Sequence, residues 1–195
     1  MSDSRIAGVI LAAGKSRRLR QPKQLIQLAG ESLLRRTARV TVEAGCAPVF
    51  VVLGYEAERM YPELNGLRVQ PLRNEGWAEG MGASVRRGVA AALAAADGVL
   101  LLVCDQPRLS AEHLRALLTR HEETGALITA SAYEGRLGVP AVFAAKLFPE
   151  LLQIRGDRGA RQVIQRHRDA VQSLEWPDGA VDIDRPEDVR EVTPE

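Results

Sequence analysis

Ile6-Ala7-Gly8-Val9-Ile10-Leu11-Ala12 is a continuous apolar run that breaks into Ala13-Gly14-Lys15-Ser16-Arg17-Arg18-Leu19-Arg20-Gln21-Pro22-Lys23, a stretch of small residues and cations. An apolar run bounded by polar and Gly-rich residues is the pattern of a strand covered on both faces, as inside a parallel sheet. Glu31 to Ala44 then shows helical spacing at Leu33, Leu34, Ala38 and Val42, with Gly45 as a C-cap. Strand, polar loop and helix open the fold in that order.

The pattern recurs. Val49 to Leu53 reads as a second strand, Ala57 to Leu64 as a short helix, and Leu67 to Pro71 as a third strand before a long polar turn. The Ala-rich stretch from Met81 to Ala95 reads as a helix, and Gly98 to Cys104, GVLLLVC, is the clearest buried strand, ending at Asp105. Ser110 is placed to N-cap a helix over His113 to His121, with Leu114, Leu117 and Leu118 on its apolar side. Leu127 to Ala132 and Val139 to Ala144 read as strands, Ala160 to Arg168 as a helix, and Val171 to Leu174 and Val181 to Ile183 as short late strands. Pro186 opens a terminal helix. Alternating strands and helices predict a three-layer α/β/α sandwich, Rossmann-like, around a mostly parallel sheet. Such sheets bind ligands at the carboxyl ends of their strands, so Ala13 to Lys23 and Asp105 should share one rim.

A chain of 195 residues fits one domain spanning residues 1–195, with 46% hydrophobic and 26% charged residues as in an ordinary globular protein. Lys and Arg number 26 against 25 Asp and Glu, so no basic field favours nucleic acid. The N-terminal apolar run is too short for a membrane span or a typical signal peptide, and the chain is read as cytoplasmic, with no membrane partner. Cys46 and Cys104 lie in or beside apolar segments without metal-ligand spacing and read as buried thiols. His113, His121 and His167 lie on predicted helices without partners at ligand spacing and read as surface positions.

The first loop suits a polyphosphate. Small residues let backbone N–H groups approach phosphate oxygens, while Arg and Lys neutralise charge on a transferred phosphorus and on departing pyrophosphate. Arg18 and Lys23 are the strongest candidates for that role, although an isolated basic loop is equally a solvated turn. Neither a GxGxxG dinucleotide fingerprint nor a GxxxxGK[ST] phosphate loop can be read here. Asp105 places one carboxylate at a strand end, where Mg²⁺ could bridge it to nucleotide oxygens; a lone Asp there is also a common turn former.

Leu11-Ala12-Ala13-Gly14-Lys15-Ser16-Arg17-Arg18-Leu19-Arg20-Gln21-Pro22-Lys23-Gln24-Leu25 resembles the L-A-A-G-x-S-x-R-[ML]-G-x-P-K-x-L signature of the MobA-like NTP transferases. The resemblance implies a nucleotide-diphospho-sugar transferase-like fold, and a nucleotide site at Leu11, Ala12, Ala13, Gly14, Ser16, Arg18 and Lys23. AAG with PK is closer to the CTP:molybdenum cofactor cytidylyltransferases than to guanylyltransferases, which favours CTP. Arg20 stands where the family has glycine, a departure open to three readings: a differently shaped loop tip, an added phosphate contact, or a side chain that points to solvent.

Cys104-Asp105-Gln106-Pro107 resembles the family's D-[MQ]-P, which makes Asp105 the implied metal ligand. Val181 to Asp188 resembles a DIDTPED ending, so Asp182 and Asp184 are candidates for the same metal or for acceptor contact, against a helix-capping role. Asn74 to Ser84 resembles N-x-x-[WY]-x-x-G-[ML]-x-x-S, which adds Asn74, Gly80 and Ser84 to the nucleotide site; as bare physics it is a long loop plugged by Trp77. Gly138-Val139-Pro140 and Gly156-Asp157-Arg158-Gly159-Ala160-Arg161 resemble two further family motifs, which imply acceptor contacts from Gly138, Pro140, Asp157 and Arg161. Turn and cap roles fit these residues equally well. Val139 stands where many cytidylyltransferases carry His.

The resemblance implies an Mg²⁺-dependent transfer of CMP from CTP to the phosphate of molybdopterin, with Arg18, Lys23 and Asp105 as catalytic residues. The N-terminal part would bind NTP and the C-terminal part the acceptor, and a molybdenum hydroxylase would receive the product. Two alternatives remain: transfer from another NTP or to a sugar phosphate, and a non-catalytic carrier of the molybdenum cofactor.

Overall fold

The computed structural model describes residues 5–19 and 21–192. β1 (Ile6–Ala12) runs through the middle of the sheet with six of its seven residues buried, as its apolar run predicts. A two-stranded hairpin, β2 (Gln27–Leu28) and β3 (Glu31–Ser32), leads into α1 (Leu33–Glu43). The helix starts later than expected because Glu31 and Ser32 belong to the hairpin, and Ser32 accepts the N-capping bond from the Arg35 N–H.

β4 (Val49–Leu53) is followed by two 3₁₀ turns, Ala57–Arg59 and Tyr61–Leu64, in place of the expected short helix; Pro62 lies in the first turn of the second. β5 (Gln70–Arg73) pairs in register with β4 and begins three residues beyond the expected start. α2 (Met81–Ala92) leads to β6 (Gly98–Val103), and Ser110 caps α3 (Ala111–Thr124) as expected. β7 (Ile128–Tyr133) and β8 (Arg136–Ala144) form a hairpin, then come α4 (Phe148–Leu151), α5 (Arg161–Arg166), β9 (Val171–Glu175) and α6 (Pro186–Val192).

The expected strand over Val181 to Ile183 does not form; this segment is extended but pairs with no strand among the described residues, and the Ile183 N–H donates to the Asp105 carbonyl at 2.9 Å. The histidines also differ from expectation. His121 is buried at 8% exposure against the Thr129 hydroxyl, His113 is stacked on Trp176 and bonded to Ser131, and His167 pairs with Glu150. Each partner sits on another element, out of reach of a local sequence window.

The seven-stranded sheet has the order β5-β4-β1-β6-β8-β7-β9. It is mostly parallel, with β8 antiparallel to both its neighbours. Successive residues of the central strands point to opposite faces. Ile10, Leu100 and Leu102 pack with Leu34 and Ala38 of α1 and Leu114 and Leu117 of α3. Val9, Leu11, Val99 and Leu101 pack with Val85 and Val89 of α2, Leu151 of α4 and Val163 of α5 on the other face. Three layers result, as predicted. Each such side chain buried fully contributes roughly 1.5–3 kcal/mol, so the doubly covered central strands anchor the fold.

From β1 the chain moves outward through β4 to β5, then crosses back to add β6 on the opposite side of β1. The connections leaving β1 and β6 therefore diverge and open a crevice at their carboxyl ends, where Leu11 and Val103 are the last paired residues. A third apolar cluster of Leu19, Ile26, Leu33 and Ile183, with Leu28 and Val189 against it, closes the crevice from outside. Among the described residues no helix is long and apolar enough to cross a membrane.

Candidate active site

The first loop is folded back on itself by its own polar atoms. Ser16 adopts a left-handed backbone (φ 53°), its carbonyl accepts the Leu19 N–H at 3.1 Å, and its hydroxyl accepts the Lys23 N–H at 3.0 Å. Gln24, only 1% exposed, donates from one amide nitrogen to the carbonyls of Ala12 at 2.8 Å and Gly14 at 2.9 Å. Sequence reading missed Gln24 because a lone Gln beside a proline-lysine pair carries no local signal. Arg20 lies outside the described residues.

This fold returns Lys23 to the crevice. Its ammonium donates to Asp105, at the end of β6, and to Asp184 Oδ1 at 3.2 Å, while Arg18 reaches Asp184 Oδ2 at 3.3 Å. The Lys23 and Asp105 side chains are 19% and 16% exposed, whereas Arg18 is 70% exposed. Burial alone would favour loss of the Lys23 proton, but the charge and hydrogen bond of Asp105 more than reverse this, and the pKa is raised. Lys23 is therefore a fixed cation.

Asp184 is available for this pairing because another acid caps α6. Asp188 Oδ2 accepts from the backbone N–H groups of Asp184 at 2.9 Å and Arg185 at 2.7 Å. Asp182 is exposed on the same rim; burial of its carboxyl and the charges of Asp105 and Asp184 raise its pKa. The rim thus gathers more negative charge than Lys23 alone neutralises, which suits a divalent cation. Among the described residues no three His, Cys, Asp or Glu side chains form a ready-made metal cage. A donor set of one or two carboxylates fits Mg²⁺, which takes the rest of its octahedron from water and phosphate.

Two adjoining cavities lie along this rim, the first of them lined by Asp105 and Asp182. One, of about 310 Å³, is lined by Asp105, Gln106, Gly138, Arg158, Arg161 and Asp182 among others. The other, of about 350 Å³, is lined by Ala13, Gly14, Lys15, Arg17, Trp77, Gly80, Ser84 and Asp157. Leu11 and Met81 line both. Ala12 is buried, with its carbonyl held by Gln24. Asn74, 6% exposed, braces the second cavity from behind, donating to the Ser84 hydroxyl at 3.1 Å and accepting the Gly76 N–H at 3.1 Å. Pro140 is buried in β8, its carbonyl accepting from Ser131 at 2.8 Å, and lines neither cavity. Asp157 falls on the wall of the Trp77 cavity rather than beside Gly138. Gln106, 6% exposed, was quoted only as part of a motif; its amide nitrogen ties the carbonyls of Val139 at 3.2 Å and Gly179 at 3.3 Å to the end of β6.

Neither cysteine is an available nucleophile. Both are buried as expected; burial pushes each thiol up to about 12, and the neighbouring Asp105 charge adds to this for Cys104. The site thus offers cations, carboxylates and backbone amides, the equipment for phosphoryl chemistry by charge stabilisation.

Residues 8–171 match the MobA-like NTP transferase domain. The chain belongs to the MobA-like NTP transferase family. It is 33% identical to the purine catabolism protein PucB of Bacillus subtilis, covering 94% of this chain and 93% of that protein. It is 34% identical to the nicotine blue oxidoreductase of Paenarthrobacter nicotinovorans, covering 83% and 82%. The crystal structure of Rv0371c from Mycobacterium tuberculosis superimposes with a TM-score of 0.80 at 29% identity, covering 96% of this chain and 97% of that one. A further structure of Rv0371c, a complex with manganese, gives 0.77 at 27% identity, covering 97% and 98%. This MobA-like chain therefore has the fold and family of nucleotidyltransferases, in which a divalent metal is usual.

Proposed function

We propose that this MobA-like chain transfers CMP from CTP to the phosphate of molybdopterin in the molybdenum cofactor, with Mg²⁺, releasing pyrophosphate. The observation that carries the reading is that Lys23 of the cationic loop meets Asp105 of the strand-end motif, and that Asp105 lines a cavity sharing Leu11 and Met81 with a second one. The Trp77 cavity, with its small residues and cations, suits the nucleotide, and the Gln106 cavity suits the acceptor. A single domain over residues 1–195 would thus divide into an NTP-binding N-terminal part and an acceptor-binding C-terminal part.

In this reading an acceptor phosphate oxygen attacks the α-phosphorus in line, the bond to the bridging oxygen breaks, and pyrophosphate leaves. Lys23, held protonated, and exposed Arg18 stabilise the charge that builds on the phosphoryl oxygens and the leaving group. Backbone N–H groups around Gly14 approach the phosphates because no side chain intervenes. Asp105, with Asp182 or Asp184, would hold Mg²⁺, which when bound neutralises and orients the triphosphate. CTP is favoured by the AAG and PK residues of the loop. The acceptor reading rests on the motifs at Gly138 and Arg161, and the purine catabolism relative accords with a cofactor used by hydroxylases of the xanthine dehydrogenase type. Such a hydroxylase would receive the cytosine dinucleotide product.

Pyrophosphate release is measured with Mg²⁺ and each of CTP, GTP, ATP and UTP, with and without molybdenum cofactor, for the wild type, Lys23→Ala and Asp105→Asn. Release with CTP and cofactor, lost in both variants, is expected. Preference for another NTP would keep the chemistry and overturn the base assignment. Tight cofactor binding without release from any NTP would overturn catalysis and identify a carrier.

A further inference from the structure

We infer that Met81 touches both substrates of the proposed reaction, and that through it the affinity for each depends on the other. The inference rests on the assignment of the Trp77 cavity to nucleotide and the Gln106 cavity to acceptor, and it gives a role to Met81, which stands in the Asn74 to Ser84 motif but has no part in the mechanism above.

Met81 opens α2 and is 44% exposed, although it is apolar and large. Together with Leu11 it lines both cavities. Leu11 is a strand residue at 8% exposure, fixed by the sheet, so Met81 is the movable part of the shared wall. Its unbranched thioether can repack against either occupant.

The backbone around it joins the two sides. Gly159 has a left-handed φ of 55°, and a Cβ there would lie 2.6 Å from Met81 Sδ; the Met81 side chain rests on bare backbone. One residue before Met81, Gly80 has φ 105°, and a Cβ there would lie 2.4 Å from Asp157 Oδ1 and 2.8 Å from the Gly156 carbonyl carbon. The start of α2 and the turn at 156–159 are therefore in direct contact from both directions. The first carries Gly80 and Ser84 of the nucleotide cavity, and the second leads into Arg161 of the acceptor cavity. An occupant on one side fixes the Met81 rotamer and this contact, and the second occupant then binds to a wall already ordered. Couplings of this kind are typically about 5- to 150-fold in affinity, and by linkage they are the same in both directions.

The chain contains three methionines, of which Met60 is fully buried and Met1 is terminal, so a ¹³C-methyl spectrum of methionine-labelled protein isolates Met81, assigned by its loss in Met81→Leu. MgCTP alone and molybdenum cofactor alone are each expected to shift the Met81 signal. Cofactor should tighten MgCTP, read by Trp77 fluorescence in a Trp176→Phe background, about fivefold or more, and Met81→Ala should abolish that gain while raising KM for both substrates. Lys15→Ala should raise KM for CTP alone and Arg161→Ala for the acceptor alone; Met81→Leu, which refills the volume, should recover most of the coupling. A Met81 signal that answers only one substrate, or a Met81→Ala variant with one KM changed, would overturn the shared wall. Silence of Trp77 fluorescence and of pyrophosphate release with all four NTPs would instead overturn the nucleotide assignment and take this inference down with it.

Discussion

The backbone N–H of Ile183 donates to the carbonyl of Asp105 at 2.9 Å, and the Ile183 side chain is fully buried among Leu19, Ile26 and Leu33. This apolar plug fastens the C-terminal segment to the end of β6 and delivers Asp184 to Lys23. Ile183→Ala should cost about 2–5 kcal/mol, the usual range for removing a buried Ile side chain. Denaturant unfolding measures that loss, and turnover should fall with it as Asp184 drifts. Full pyrophosphate release from a folded Ile183→Ala protein would remove Asp184 from the reaction.

Lys23 and Asp105 form a pair mostly hidden from solvent, so Asp105 without Lys23 is a poorly solvated charge, and Lys23 without Asp105 keeps only the longer contact to Asp184. Lys23→Ala and Asp105→Asn should each reduce turnover by about a hundredfold or more, the scale of losing a charge that stabilises the transition state. Each should also destabilise the fold by about 1–3 kcal/mol, and the double variant by less than the sum, because it leaves no unpaired charge. Additive unfolding energies would show that the pair contributes no coupling.

Gln24 holds two loop carbonyls with one amide group, while its own Oε1 is buried with no partner among the described residues. Gln24→Leu keeps the volume, removes the two donors and also removes the orphaned oxygen, so stability should change by less than about 2 kcal/mol. The loop loses its clamp, and KM for the nucleotide should rise about tenfold with the acceptor KM unchanged. Steady-state kinetics with each substrate varied in turn test this, and an unchanged nucleotide KM would relieve Gln24 of a positioning role.

Burial pushes the His113 imidazole down to about 4 from its usual value of 6.5, since its ring is stacked on Trp176 and bonded to Ser131. The unfolded chain takes up the proton first as pH falls, so the stabilising contribution is complete above about pH 6.5 and is lost progressively down to about pH 4. The loss should be about 2–3 kcal/mol. His121, also pushed down by burial, acts in the same direction, so the comparison needs a His113→Phe variant. Unfolding curves of both proteins between pH 4 and pH 7 should show the wild type losing more stability toward acid; parallel pH profiles would show that His113 titrates normally.

Much of the architecture was legible because its determinants are local. The apolar runs at Ile6 and Gly98 are buried on both faces and could only be central strands, and Ser110 and Pro186 mark helix starts through their own backbone chemistry. Strand ends followed by a cationic loop and an acid were enough to place Lys23 and Asp105 on one rim. Val181 to Ile183 misled for an equally local reason: alternating residues look like a strand whether or not a neighbour is there to pair with them.

What the sequence determined by itself, then, was the order and type of the central elements and the rim that carries the site, which follow from short-range spacing, while the family was legible through the resemblance of its motifs. Only the tertiary structure decided that Asp188 caps α6 so that Asp184 can face Lys23, that Gln24 clamps the loop, that Asn74 and Pro140 are buried, and that Met81 stands between two cavities. Whether a polar side chain is spent inside the fold or left for a ligand depends on partners that packing brings together from far along the chain, 161 residues away for Lys23 and Asp184. Such pairings have no sequence period, because they are set by the sheet order and by the apolar cluster that closes the crevice.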